Sequence, residues 1–175
     1  MPVRLKSSSN LGGIKKMTDK MNLGRLCEYM VKVIVEAKSG WVVKNINDQR
    51  KNHPRTDLLV QNPETGEEYE ISVKAKQGNS WPSVKGIVES NEYIVFSSLL
   101  PDADPEFYVL NNRQWSAFLK KILPTRDDGG EIINGSIEWH WQEEGKKKHF
   151  KGTAIKKDEL LKYQNKWSVL PGIEE

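Results

Sequence analysis

The strongest constraint on the fold lies between Asp57 and Gln77. DLLVQ and YEISVKAKQ are two β-type stretches separated by NPETGEE. Asn-Pro and Thr-Gly are turn chemistry, because Asn and Gly accept backbone angles that other residues resist. Together they predict a β-hairpin centred near Thr65, and a hairpin of this kind needs a sheet around it. In its second strand Ile71 and Val73 alternate with Glu70, Ser72 and Lys74. Residues two apart share a face. A carboxylate, a hydroxyl and an ammonium therefore line one side, which is either wetted surface or one wall of a reactive site.

The flanking sequence supplies the other layers. Residues 1–18 are rich in Ser, Gly and Lys, lack periodicity, and read as a loose basic arm. A helix is expected from Asn22, its cap, to Lys38, with Gly40 ending it. Leu23, Leu26, Cys27, Met30, Val31, Ile34 and Val35 recur at helical spacing and predict a buried stripe. Cys27 on that stripe reads as a small core residue, not a nucleophile.

WVVKNI reads as a short strand and KNINDQRKNHPR as a polar loop. GNSWPSVKGIVESN reads as a loop with a turn of helix. EYIVFSSL is apolar and β-branched, as expected of a strand at the sheet centre, and FYVLN is a further strand. NNRQWSAFLKKIL predicts a second helix with Trp115, Phe118, Leu119 and Ile122 on one face. IEWHWQ and HFKGTAI about a GKKK turn predict a hairpin, and KKDELLKYQNKW a short last helix. This order predicts an α/β protein with a central mixed β-sheet flanked by helices. One domain is expected over 19–175, with its core in 22–111 and a hairpin and helix in 112–175.

Composition narrows the function classes. A chain of 175 residues favours one core. No apolar run approaches the roughly 20 residues that cross a bilayer, so no membrane role is expected. The first residues lack the apolar stretch of a secretory signal. A single cysteine rules out an internal disulfide and suits a reducing, cytoplasmic setting. Net charge is only +3, but the basic residues cluster. Lys6, Lys15, Lys16, Lys20 and Arg25 crowd the start. Lys44, Arg50, Lys51, His53 and Arg55 form a second group, and Lys146, Lys147 and Lys148 a third. Each alone reads as a solvated face; together they tilt toward a nucleic-acid partner.

Hairpin geometry sharpens the polar row. It sets Asp57 opposite the Ser72–Lys74 region and Val60 near Glu70. Side chains directly opposite in an antiparallel pair lie about 5 Å apart at Cβ. Asp57 and Lys74 are then near enough to share a divalent ion and a phosphate. The plainer alternative is a structural salt bridge of Lys74 with Asp57 or Glu70.

An acid on the first helix, an Asp at a strand start and a Lys on the next strand resemble the PD-(D/E)xK nuclease superfamily. Glu28 in LGRLCEYMVKVIVEAKSGW, Asp57 in RTDLLV and Lys74 in ISVK carry the likeness, over about residues 22–111. Thr56 replaces the Pro of the motif, and Ser72 stands where an acid is expected before the Lys. The VK strand, the Trp-containing loop and YIVF also look like uncharacterised bacterial members. The resemblance implies a restriction-endonuclease-like fold and Mg²⁺- or Mn²⁺-dependent hydrolysis of phosphodiesters in DNA.

In that reading Asp57 and Glu70 hold the metal, which offsets phosphate charge and acidifies bound water. Glu89, fifteen residues past Lys74, is the alternative acid, on a short helix returning to the site. Lys74 orients the water and stabilises developing charge. Glu28 is metal-linked or supports the ligands, and Gln77 meets phosphate or the metal's waters. Lys44, Arg50, Lys51, Arg55 and the N-terminal arm contact the backbone. Trp81 either stacks on a base or plugs its loop onto the core. The other tryptophans, Trp141 among them, are expected to fill a core or cover the sheet. His140 and His149 can face each other across the tail hairpin, but no third ligand is evident and no zinc is assigned. Double-strand cutting by so small a domain would take a homodimer or two visits. Ser72 keeps open a nuclease fold that binds nucleic acid without cutting, and a protein-interaction scaffold is the third reading.

Overall fold

The computed structural model describes residues 12–46, 56–126 and 130–174, with side chains from residue 23 onward. Residues 1–11 of the expected arm lie outside these residues, and 12–18 are helical where a loose arm was expected. The first helix, α1 (Gly12–Ser39), starts well before Asn22, so Asn22 is interior and not its cap. Gly40 ends it, its N–H donating to the Glu36 carbonyl (2.9 Å). Cys27, Val31 and Val35 form the buried stripe, but Leu26 is half exposed, as are Tyr29 and Val33 on the same outer face.

The hairpin forms as the turn residues require. Strands β1 (Val42–Asn45), β2 (Leu58–Gln61) and β3 (Glu68–Lys76) make an antiparallel run. In the turn, the Asn62 side chain accepts from the Glu64 and Thr65 N–H groups. Val60 pairs with Tyr69, not Glu70. The register is thus one residue from the expected one, which decides which side chains share a face.

The chain then makes β4 (Ser80–Val84), a strand where a loop with a helical turn was expected. Trp81 and Val84 point from it into the core. The chain returns through β5 (Glu92–Ser98), parallel to β3, and β6 (Glu106–Asn111), antiparallel to β5. The result is a mixed five-stranded sheet in the order β1-β2-β3-β5-β6. All seven residues of β5 are buried, as its unbroken apolar sequence predicts.

Burial on both sides of β5 needs cover on both sides. On one face α1 packs over Leu58, Val60, Ile71, Val95 and Val109. On the other, Ile94, Phe96 and Leu110 meet α2 (Asn112–Ile122) through Trp115, Phe118, Leu119 and Ile122. A reciprocal Asn111–Gln114 capping box starts α2. The tail adds β7 (Gly130–Ile133), β8 (Ser136–Glu143) and β9 (Lys146–Lys151) as a small antiparallel sheet. Next, β10 (Thr153–Lys156) pairs with β4. The expected last helix is instead two 3₁₀ segments, Lys157–Tyr163 and Trp167–Val169. Between them the chain crosses beside β6, where Asn165 N–H donates to the Phe107 carbonyl (2.8 Å). The first segment then seals one core with Leu160, and the second the other core with Trp167. The fold class is mixed α/β, as expected. Trp141 departs from the expected core role and lies half exposed.

Two glycines let the layers close. Trp115 Nε1 donates to the Gly135 carbonyl (2.7 Å), which draws the β7–β8 turn onto α2. A Cβ on Gly86 would lie 1.9 Å from that indole nitrogen, and one on Gly135 2.0 Å from the Ile87 carbonyl oxygen. Gly135 also has a positive φ of 68°, which side chains resist. Gly86→Ala is expected to lower stability by about 1–3 kcal/mol through overpacking. A urea midpoint unchanged by this substitution would show that the Trp115 contact yields without cost.

Candidate functional site

The polar row of β3 is held by three separate contacts. Asp57 lies just before β2, where Val73 on β3 has passed its last ladder partner. The Asp57 carboxylate takes over as acceptor, and Val73 N–H donates to its Oδ2 (2.7 Å). The Ser72 hydroxyl lies 3.5 Å from the same oxygen. Lys74 Nζ donates to Ser72 Oγ (2.7 Å). Asp57, Ser72 and Lys74 are thereby linked in series, and Ser72 is itself buried.

Lys74 is the perturbed group of this set. Burial pushes its ammonium pKa down; nearby Asp57 opposes the shift and Lys85 adds to it. The Lys74 carbonyl accepts from Trp81 Nε1 (2.8 Å), which ties the end of β3 to β4. Trp81 is only 3% exposed and packs edge-on against Phe96 and Tyr108. It cannot stack on a base as one reading had it; it plugs its segment onto the core.

Beside this row opens a cleft of about 1030 Å³ between β3 and β4, reached also by α1 and the β7–β9 sheet. Lys74, Lys76, Lys85 and Lys151 line it, and among the described residues no carboxylate does. Gln77 lies on its wall as well. Lys44 projects from β1 on the same sheet face as Glu70, exposed and near Gln61. Arg50, Lys51, His53 and Arg55 lie outside the described residues. A concave wall with four ammonium groups raises the local concentration of anions.

The acids converge less than expected. Glu70 accepts a hydrogen bond from the Thr56 hydroxyl, so one of its oxygens is engaged beside Asp57. Glu28 reaches β1 instead, where Asn45 Nδ2 donates to its carboxylate (2.7 Å). Glu89 is exposed in a turn before β5, without the short helix expected there. Glu92 organises that turn by accepting from the Val88 and Glu89 N–H groups (2.6 and 2.8 Å). Glu92 is level with Glu70, whereas Phe96 is level with Lys74. Four residues of strand, roughly 13 Å, therefore separate Glu89's end of the sheet from Lys74. Among the described residues, Asp57 joins no group of three ligating side chains.

Such a group exists elsewhere. Glu138, His140 and His149 on the β8–β9 hairpin bring three ligand atoms within 4.8 Å of one another, a set able to hold a metal ion. The histidines face each other as expected, but the third donor, Glu138, was not foreseen. Period two from His140 could have found it. Lys76 was findable from Lys74 in the same way, whereas Lys85 and Lys151 reach the cleft only through tertiary folding. Cys27 is fully buried, and burial pushes its thiol up to about 11, which disfavours the thiolate. No helix among the described residues is long and apolar enough to cross a membrane. Scanned against protein-family models, curated proteins and solved structures, the chain finds no match.

The lowered pKa of Lys74 carries a sign that can be tested. Below its folded-state pKa the buried ammonium opposes folding. Between that value and 10.5 the unfolded chain holds the proton and the folded one does not, so stability rises with pH. Lys74→Met is expected to raise the urea midpoint at pH 7, and the gain to shrink as pH approaches 10.5. A midpoint that falls on substitution at pH 7 would mean that the Ser72 and Asp57 contacts outweigh burial.

Proposed function

We propose that this chain is a metal-dependent endonuclease acting on DNA, with a restriction-endonuclease-like core. One observation carries the reading: Lys74, on the wall of a cleft lined by four lysines, is joined through Ser72 to Asp57, which adjoins that wall without lining it. The antiparallel β1–β2–β3 run and the parallel return through β5 suit the resemblance of RTDLLV and ISVK to the PD-(D/E)xK pattern. The duplex backbone would lie along Lys76, Lys85 and Lys151. Asp57, with Glu70 beside it, would hold Mg²⁺ or Mn²⁺. A single carboxylate can serve, since Mg²⁺ commonly keeps several waters and takes the rest of its ligands from substrate phosphate. Bound metal would supply an acidified water and offset phosphate charge.

Lys74 acts from the protein side. Burial lowers its pKa and brings the neutral amine closer to reach than in an exposed lysine, and as that amine it would take a proton from the attacking water. In its charged form it stabilises the negative charge that develops on the phosphate. Ser72 holds its nitrogen in place (2.7 Å).

A second reading has its own observation. Ser72, buried in the place of an acid, leaves Asp57 outside any three-ligand group among the described residues. The chain would then grip nucleic acid without cutting it.

Nicking of supercoiled plasmid separates the two. Metal-dependent nicking is expected for the wild type and not for Asp57→Asn or Lys74→Ala. Asp57→Asn is preferred to Asp57→Ala because an amide oxygen can still accept from Val73 N–H. Binding without nicking in all three proteins would favour the second reading. In either case affinity should fall with salt, and Lys76→Ala or Lys85→Ala should each reduce the slope of log K against log salt by about 0.9. A slope indifferent to both lysines would remove the cleft as the DNA path.

A further inference from the structure

We propose that the β8–β9 hairpin carries a binding site for a Zn²⁺-class transition metal, formed by Glu138, His140 and His149. This is independent of the nuclease reading, because none of the three belongs to the Asp57–Lys74 row.

The site follows from strand period and register. In IEWHWQ, Glu138 and His140 are two apart and share a face of β8. Across the ladder His140 pairs with His149, and Glu138 with Lys151. Both imidazoles and the carboxylate thus emerge on one face of the β7–β9 sheet, where Glu138 also pairs with Glu131 of β7. The rings stack at 4.6 Å between centroids, 23° from parallel. Glu138 Oε2 lies 2.8 Å from His149 Nε2 and 3.9 Å from His140 Nε2.

These spacings fit a tetrahedral ion. With bonds of about 2.0–2.1 Å, tetrahedral ligands lie about 3.3–3.4 Å apart, between the two observed separations. Small ring rotations close the difference, and both histidines are about half exposed and free to make them. Glu138 is the fixed member: its side chain is 10% exposed, and Lys151 Nζ holds its other oxygen, Oε1, at 3.0 Å. A ligating carboxylate oriented by a hydrogen bond is the arrangement that tunes metal sites.

The donor chemistry selects the metal. Two imidazoles and one carboxylate suit Zn²⁺ and its neighbours in the transition series, whereas Mg²⁺ and Ca²⁺ prefer oxygen alone. Three protein ligands also leave a fourth position for water or an incoming group. The plainer account of the same side chains is a Glu138–His149 hydrogen bond across an exposed hairpin, with His140 stacked on it.

The test is a titration of untagged, chelator-treated full-length protein with Co²⁺, followed by its visible d–d absorption, and with Zn²⁺ by calorimetry. One ion per chain is expected, with Zn²⁺ displacing Co²⁺ and excess Mg²⁺ displacing neither. His140→Ala, His149→Ala and Glu138→Gln should each weaken binding at least about tenfold, since even losing a supporting partner of a ligand does so. Asp57→Asn should leave it unchanged. The histidines are exposed, so His140→Ala and His149→Ala should match the wild type in thermal melting with chelator present, and gain less than the wild type with Zn²⁺. Absence of saturable binding, or binding indifferent to the two histidines, would overturn the proposal. Loss of plasmid nicking would not bear on it.

Discussion

The parallel pairing of β3 with β5 is the constraint on which the molecule rests. It places β5 inside the sheet, where every residue is buried. A strand buried on both faces needs two covering layers. Helix α1 supplies one. The other is assembled from α2, β4, β10 and the tail sheet, and the 3₁₀ segments after β10 close both. The aromatic ring contacts among Trp81, Phe96, Trp115 and Phe118 lie in the second layer, where the elements have no long shared ladder to align them.

The same pairing creates the cleft. Along β3, the residues before Ser72 that point away from α1 run beside β2 and β5. Beyond Ile71, whose carbonyl still accepts from the Asp57 N–H (3.0 Å), the β2 ladder ends and the Asp57 carboxylate accepts from Val73 N–H. The strand continues as Lys74, Ala75 and Lys76 paired with β5, with no further β2 partner among the described residues. Trp81 closes the floor by bonding to the Lys74 carbonyl. A lysine at such a place is largely buried and has Lys85 nearby, which is why its charge is held at a cost. Structural economy would put an apolar residue there; an ammonium in a basic cleft is what an anionic ligand would call for.

Much of the architecture was legible because local pattern and tertiary role agreed. EYIVFSSL reads as a central strand and is one. The stripe of Trp115, Phe118, Leu119 and Ile122 reads as a buried helix face and is one. Failures fall where local signals are weak. GNSWPSVK contains Gly, Asn and Pro, so it reads as a loop, yet β10 gives it a partner far along the chain and makes it β4. KKDELLKYQNKW has the composition of a helix, but its passage beside β6 forces tighter 3₁₀ turns. Leu26 reads as core because it is apolar and near the stripe, but helical geometry turns it to the outer face.

The sequence by itself determined the hairpin, the pairing of Asp57's strand with Lys74's, and the alternation that puts Ser72, Lys74 and Lys76 on one side. Those follow from turn chemistry and a period of two, which are local properties. Only the tertiary structure decided the register, the engagement of Glu70 by Thr56, the distance of Glu89, and the gathering of Lys85 and Lys151 at the cleft. It also decided that Glu138 joins the two histidines. A one-residue slip moves a side chain to the opposite face of a sheet, and residues far apart in the chain meet only when packing closes it. Neither is encoded in any short stretch of residues.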